Sequence, residues 1–145
     1  MRFRFIAYLI VVSFVFLRNA TGQGFVNLDF EDAVIVPDPS SSYYPFAVYA
    51  SDAIPGWTAY IGTAVQSDII YNELSLGAPT VAIFGTNGVP PALDGAYSID
   101  LYGGSGPSTG VSISQTELVP ADAASIFFIA TGGDGPLLVS LGVKI

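Results

Sequence analysis

The sequence predicts an all-β chain folded as an antiparallel β-sandwich, and three observations carry that expectation. Short runs rich in β-branched and aromatic residues are separated by Gly, Pro, Asn, Asp and Ser throughout. Around residue 100 the pattern alternates, with Tyr97, Ile99 and Leu101 pointing one way and Ser98 and Asp100 the other, as in a half-buried strand. Ser125-Ile126-Phe127-Phe128-Ile129-Ala130 is apolar on both faces, which suits a central strand covered on each side. No apolar run has the helical period for longer than one turn.

The elements follow in chain order. Met1-Arg2-Phe3-Arg4 is a short basic start, and Phe5 to Leu17 is apolar apart from Ser13. Asn19-Ala20-Thr21-Gly22 then supplies small residues, so residues 1–22 are expected to be a signal peptide cleaved before Gln23. The apolar run is short of the about 20 residues that span a bilayer. Export is therefore expected, with residues 23–145 forming the sandwich domain. Strands are expected at 25–30, 57–61, 68–71, 80–84, 97–102, 111–116, 125–130 and 137–145. Between them, Pro37-Asp38-Pro39-Ser40-Ser41-Ser42 breaks any sheet, because its prolines lack ladder donors and its serines favour turns. Gly103-Gly104-Ser105-Gly106-Pro107-Ser108 reads as a hairpin connection or surface loop; no Lys follows it and no helix opens after it, as a phosphate loop requires. Pro120-Ala121-Asp122-Ala123-Ala124 allows a single helical turn. The expected core contains Phe30, Ile99, Leu101, Ile113, Ile126, Phe128, Val139 and Leu141. Leu137, Val139, Leu141, Val143 and Ile145 carry an apolar face to the last residue, an edge that invites aggregation if left bare. The sandwich is accordingly expected to be incomplete, its last strands and any membrane anchor lying beyond Ile145.

Charge and composition exclude several classes of chemistry. The positive residues are Arg2, Arg4, Arg18 and Lys144, whereas all twelve carboxylates lie from Asp29 onward. After cleavage one cation faces twelve anions, leaving no means of neutralising phosphates, so neither nucleic acid nor an anionic membrane surface is an expected partner. Cations, neutral glycans and other proteins remain. With no Cys there is no disulfide framework and no thiolate chemistry; with no His, Ser-His-Asp and Cys-His arrangements are impossible. Ten Phe, eight Tyr and one Trp make stability by packing feasible.

Two groups of residues are candidates for binding. Ile54-Pro55-Gly56-Trp57 delivers the single Trp to the start of a strand, where the ring either anchors the core or stacks on a sugar. Tyr60 and Tyr71 would extend such a platform, although Tyr60, three positions on, faces away from Trp57 in a regular strand. Asn27, Asp29 and Glu31 alternate and so share a strand face, with Asp32 next; they form either a solvated acidic face or part of a calcium site, since carboxylates and carbonyls select Ca²⁺ or Mg²⁺. A glycosidase needs only two suitably spaced carboxylates, but no pair among the twelve is singled out.

Asn27-Leu28-Asp29-Phe30-Glu31, Ile54-Pro55-Gly56-Trp57, Asp94-Gly95-Ala96-Tyr97-Ser98-Ile99, Ile113-Ser114-Gln115-Thr116 and Leu118-Val119-Pro120-Ala121-Asp122-Ala123 together carry a resemblance. In that order they resemble the galactose-binding-domain-like jelly rolls of secreted bacterial proteins, most closely those with a PEP-CTERM sorting tail. The likeness runs from about Phe25 onward, but the sequence has no Pro-Glu-Pro tripeptide, no second hydrophobic span and no basic terminal cluster. The resemblance implies a jelly-roll sandwich, a non-catalytic module that binds glycans or surface polymers, and a structural calcium with a carboxylate at Glu31 among its ligands. The expected function is thus an exported polysaccharide-binding module with Trp57, Tyr60 and Tyr71 at its site and Glu31, Asp29 and Asp32 near Ca²⁺. The alternatives are a structural or adhesive envelope protein that contacts other proteins and, more remotely, a glycosidase.

Overall fold

The computed structural model describes residues 24–74, 77–104 and 110–132. They form β1 (Ala47–Tyr49), α1 (Ala50–Ala53), β2 (Thr58–Ile61), β3 (Ala64–Gln66), β4 (Asp68–Tyr71), β5 (Thr80–Gly85), β6 (Tyr97–Tyr102) and β7 (Val111–Ser114). Two sheets result, one of four strands ordered β1-β4-β5-β6 and one of three ordered β3-β2-β7. The architecture is all-β and sandwich-like, as expected. It departs from the antiparallel expectation at one place, because β4 and β5 run parallel, with Ile70 opposite Ala82 and Tyr71 opposite Ile83. Asn72 stands at the end of that pair. It adopts φ 53°, which Asn tolerates better than most residues. Its N–H is bonded to Ile83 O at 3.0 Å, and its Oδ1 accepts the Gly85 N–H at 2.8 Å. One residue, through its backbone N–H and its side-chain oxygen, thus ties the exit of β4 to the end of β5.

Two turns set the second sheet. Ile54-Pro55-Gly56-Trp57 closes with Trp57 N–H on Ile54 O at 3.0 Å and Gly56 at φ 84°, the arrangement of a type II turn with Pro and Gly at its centre. Gly62-Thr63 links β2 to β3 with only Gly62 at positive φ, the pattern of a two-residue II′ hairpin. That hairpin, β1 and the single turn of α1 are elements the sequence reading did not anticipate.

The inner strand is β5. All six of its residues are buried, so it takes the doubly covered position expected of residues 125–130. Val81 and Ile83 join Val48, Ile54, Ala59 and Ile69 between the sheets, while Ala82 and Phe84 pack with Ile70 on the outer face. Phe30, Ile99 and Ile113 pack against the core from its margin, as expected. Three other expected core residues are on the surface: Leu101 is 45% exposed, Ile126 53% and Phe128 58%. For Ile126 and Phe128 the reason is that residues 123–132 join no ladder among the described residues, so no neighbouring described strand covers them. Val139, Leu141, the expected strand at 137–145 and the leader at 1–22 lie outside the described residues. No helix among the described residues is long and apolar enough to cross a membrane.

Candidate functional site

The segment expected to form the first strand is a series of turns. Asn27 at φ 48° and Phe30 at φ 64° break the extended backbone, so Asn27, Asp29 and Glu31 do not share a strand face. Each has a local partner instead. Asn27 Oδ1 accepts the Asp32 N–H at 3.0 Å, and its Nδ2 donates to Pro55 O at 3.3 Å. Asp29 Oδ1 accepts the Glu31 N–H at 3.3 Å. The Glu31 carboxylate reaches across to the β6 end, where it accepts N–H groups of Ala96 at 2.8 Å and Tyr97 at 3.2 Å. Gly95, at φ 60°, makes that approach feasible; a Cβ there would overlap Glu31 Oε1. Successive backbone N–H groups form an anion-binding concavity, and here a side chain of the chain itself fills it. Among the described residues no three His, Cys, Asp or Glu side chains gather as a metal site.

Trp57 sits against the core margin. Its ring tilts on Phe30 with centroids 5.5 Å apart, and its Nε1 donates to Asn27 O at 2.9 Å. Tyr71 also packs against that core, whereas Tyr60 alternates with buried Ala59 and so faces the other side of β2. The three rings are not brought into one platform. Gln115, just past β7, completes the region: its Oε1 accepts Val26 N–H at 2.8 Å and its Nε2 donates to Val26 O and Gly56 O, each at 3.0 Å. Four of the five quoted sequence segments therefore meet in one hydrogen-bonded clasp. The fifth, at 118–123, is exposed, and its expected helical turn is one bond from Ala123 N–H to Pro120 O at 3.0 Å.

A different loop presents aromatic rings to solvent. Residues 36–38 run beside β1, with Tyr49 N–H on Val36 O and Asp38 N–H on Ala47 O. Asp38, only 4% exposed, turns the chain by accepting Ser40 N–H at 2.8 Å and Ser40 Oγ–H at 2.6 Å. The Ser40 hydroxyl, then its N–H, hold the Asp38 carboxyl below its usual range against the opposing pull of burial. The Asp38 charge in turn raises the Tyr49 phenol. Ser41 Oγ donates to Asp68 Oδ2 at 2.7 Å, tying the loop to β4. Beyond this anchor the chain folds tightly, with Tyr44 N–H on Ser41 O, Phe46 N–H on Tyr43 O and a cis Tyr44-Pro45 bond. Tyr43, Tyr44 and Phe46 are left 51%, 57% and 48% exposed.

Two shallow clefts flank Tyr43. One, of about 220 Å³, is lined by Tyr43, Tyr44, Phe46, Ile70, Leu74 and Glu73. The other, of about 210 Å³, includes Tyr43, Ser41, Gln66, Asp68 and Thr80. Both fall below the roughly 300–1,000 Å³ that encloses a drug-sized ligand, so they suit a unit gripped from one side. Aromatic faces beside hydroxyl, amide and carboxylate groups are the chemistry of sugar stacking with hydrogen bonds at the rim. The cue in the sequence was Ser42-Tyr43-Tyr44-Pro45-Phe46, three rings within a turn-forming stretch. No protein-family profile, curated protein or solved structure matches the chain.

Proposed function

We propose that this chain is an exported, non-catalytic binding module for neutral polysaccharide, and that its contact surface is the loop carrying Tyr43, Tyr44 and Phe46. The observation that carries the reading is the exposure of all three rings on a loop whose base is fixed by Asp38 and Ser41. A rigid aromatic pair loses little conformational entropy when it stacks on a ligand. Glu73 and Asp68 at the cleft walls disfavour uronates and other anionic sugars by like-charge repulsion. The jelly-roll resemblance and the signal-like start support the same reading. Trp57, Tyr60 and Tyr71, the residues the sequence put forward, enter this proposal as supports of the fold rather than as contacts.

Glycan-array binding tests it. Tyr43→Ala and Tyr44→Ala should abolish retention of neutral glycans with unchanged melting temperature. Trp57→Ala should instead cost about 3–5 kcal/mol of stability, the range for truncating a large packed ring. Binding lost only through Trp57→Ala, with stability intact, would return the site to Trp57. Turnover of an oligosaccharide would replace the module by a glycosidase. A second reading, the structural or adhesive envelope protein, is favoured by the exposed apolar stretch at Phe127, which is 89% exposed.

A further inference from the structure

The two clefts beside Tyr43 have a wall and a floor in common. Ser42, Tyr43 and Ile70 line both of them, so the clefts are neighbours rather than separate sites. Ile70 is buried in β4, which makes the common floor part of the sheet and not of the loop. A single hydroxyl ties the residue between the clefts to that strand. Ser41 Oγ accepts the Tyr43 N–H at 3.1 Å and donates to Asp68 Oδ2 at 2.7 Å.

Beyond the common residues the clefts differ in chemistry. The first adds Tyr44, Phe46 and Leu74, apolar surface that suits the C–H face of a sugar ring. The second adds Gln66 and Asp68, whose oxygens accept hydrogen bonds from hydroxyls. Gln66 Nε2 donates to Ala64 O at 2.9 Å, which leaves its Oε1 to accept. Each cleft also holds one carboxylate, Glu73 in the first and Asp68 in the second. An anionic unit is therefore repelled in either position, and a chain charged at every second unit finds no register that avoids both. The volumes, about 220 and 210 Å³, are nearly equal, as suits two positions that each take one unit of a repeating chain. Neither alone reaches the roughly 300 Å³ at which pockets for whole ligands begin, whereas the pair passes it.

We propose, on the reading of this loop as a polysaccharide contact, that the two clefts are adjoining subsites for consecutive units of one neutral sugar chain. Tyr43 stands between the units, and the smallest ligand recognised is a disaccharide. One unit stacks on the apolar side while its neighbour donates hydroxyls to Gln66 and Asp68 on the polar side.

Isothermal titration with cello-, manno- and galacto-oligosaccharides of one to four units tests this. In a series that binds, affinity should rise about tenfold or more from one unit to two and change less than about threefold from two to four. Gln66→Ala, which alters the polar cleft alone, should bring the disaccharide down to the level of the monosaccharide with the melting temperature unchanged. Equal affinity for one unit and two, a steady gain through four units, or a length step that survives Gln66→Ala each overturns the paired subsites while the polysaccharide reading stands. Absence of binding at every length in all three series removes that reading itself, and the subsites with it.

Discussion

At the scale of single residues, Asp38 and Asp100 pull the pH dependence of stability in opposite directions. Asp38 is held below its usual range by the Ser40 hydroxyl and N–H, so its contribution is present above the ordinary aspartate value and disappears as pH falls through its folded value. Asp100 is raised by burial alone, so its protonated form suits the fold and stability is lost as pH climbs through its folded value. Urea melts should therefore find Asp38→Asn less stable than the parent at pH 7, with the deficit shrinking toward pH 3. Asp100→Asn should be more stable at pH 7 and no better than the parent in acid. Equal shifts at both pH values would disconnect these effects from ionisation. Glu31 shows how far a residue can be read without its neighbours. Its importance was legible, but its role was not, because the partners at Ala96 and Tyr97 lie 65 and 66 positions away. The three exposed rings near Tyr43 are hard to read in the sequence, because the prolines and serines around them describe a loop without stating which way its side chains point.

At the scale of elements, the sequence located strands well where turn chemistry bounded them. β4 and β6 match their expected limits, and β2, β5 and β7 differ by one or two residues at an end. The failures have a common physical origin. Residues 25–30 have strand composition, yet the bonds of Asn27 to Pro55 and Asp32 hold a turn there, and tertiary contacts override a weak local preference. Residues 125–130 and β5 are both apolar on two faces, and composition cannot say which will find neighbours. β3, with three residues, is too short to leave a periodic signal. The turn before β6 offers a sharp test, because Glu31 and Gly95 depend on each other. Gly95→Ala, strained by both φ and the overlap with Glu31, should lose more stability than Glu31→Gln, for which about 1 kcal/mol is expected from an exposed hydrogen-bonded carboxylate. The proposed calcium near Glu31, Asp29 and Asp32 is tested by melts of the parent in calcium and in chelator: a melting temperature that rises with calcium only while Glu31 is present supports the cation site, and coincident melts reject it.

At the scale of the whole molecule, the clasp has a bearing on when the fold can be finished. Gln115 reaches back 89 positions to Val26, and Glu31 must wait for Ala96, 65 positions later. Contacts of such separation carry a large loop-closure cost and form late. A ribosome delivers Val26 long before Gln115, so during synthesis the leading segment has no partner and the two sheets lack their joint. Chains ending at Gly110 should show the Val26 amide exchanging as fast as in an unfolded peptide, and the full chain should protect it; protection in the shorter chain would mean that the joint closes without Gln115. A joint that waits for Gln115 leaves the segment around Val26 pliable, and open to whatever handles the nascent chain, until synthesis has passed that point.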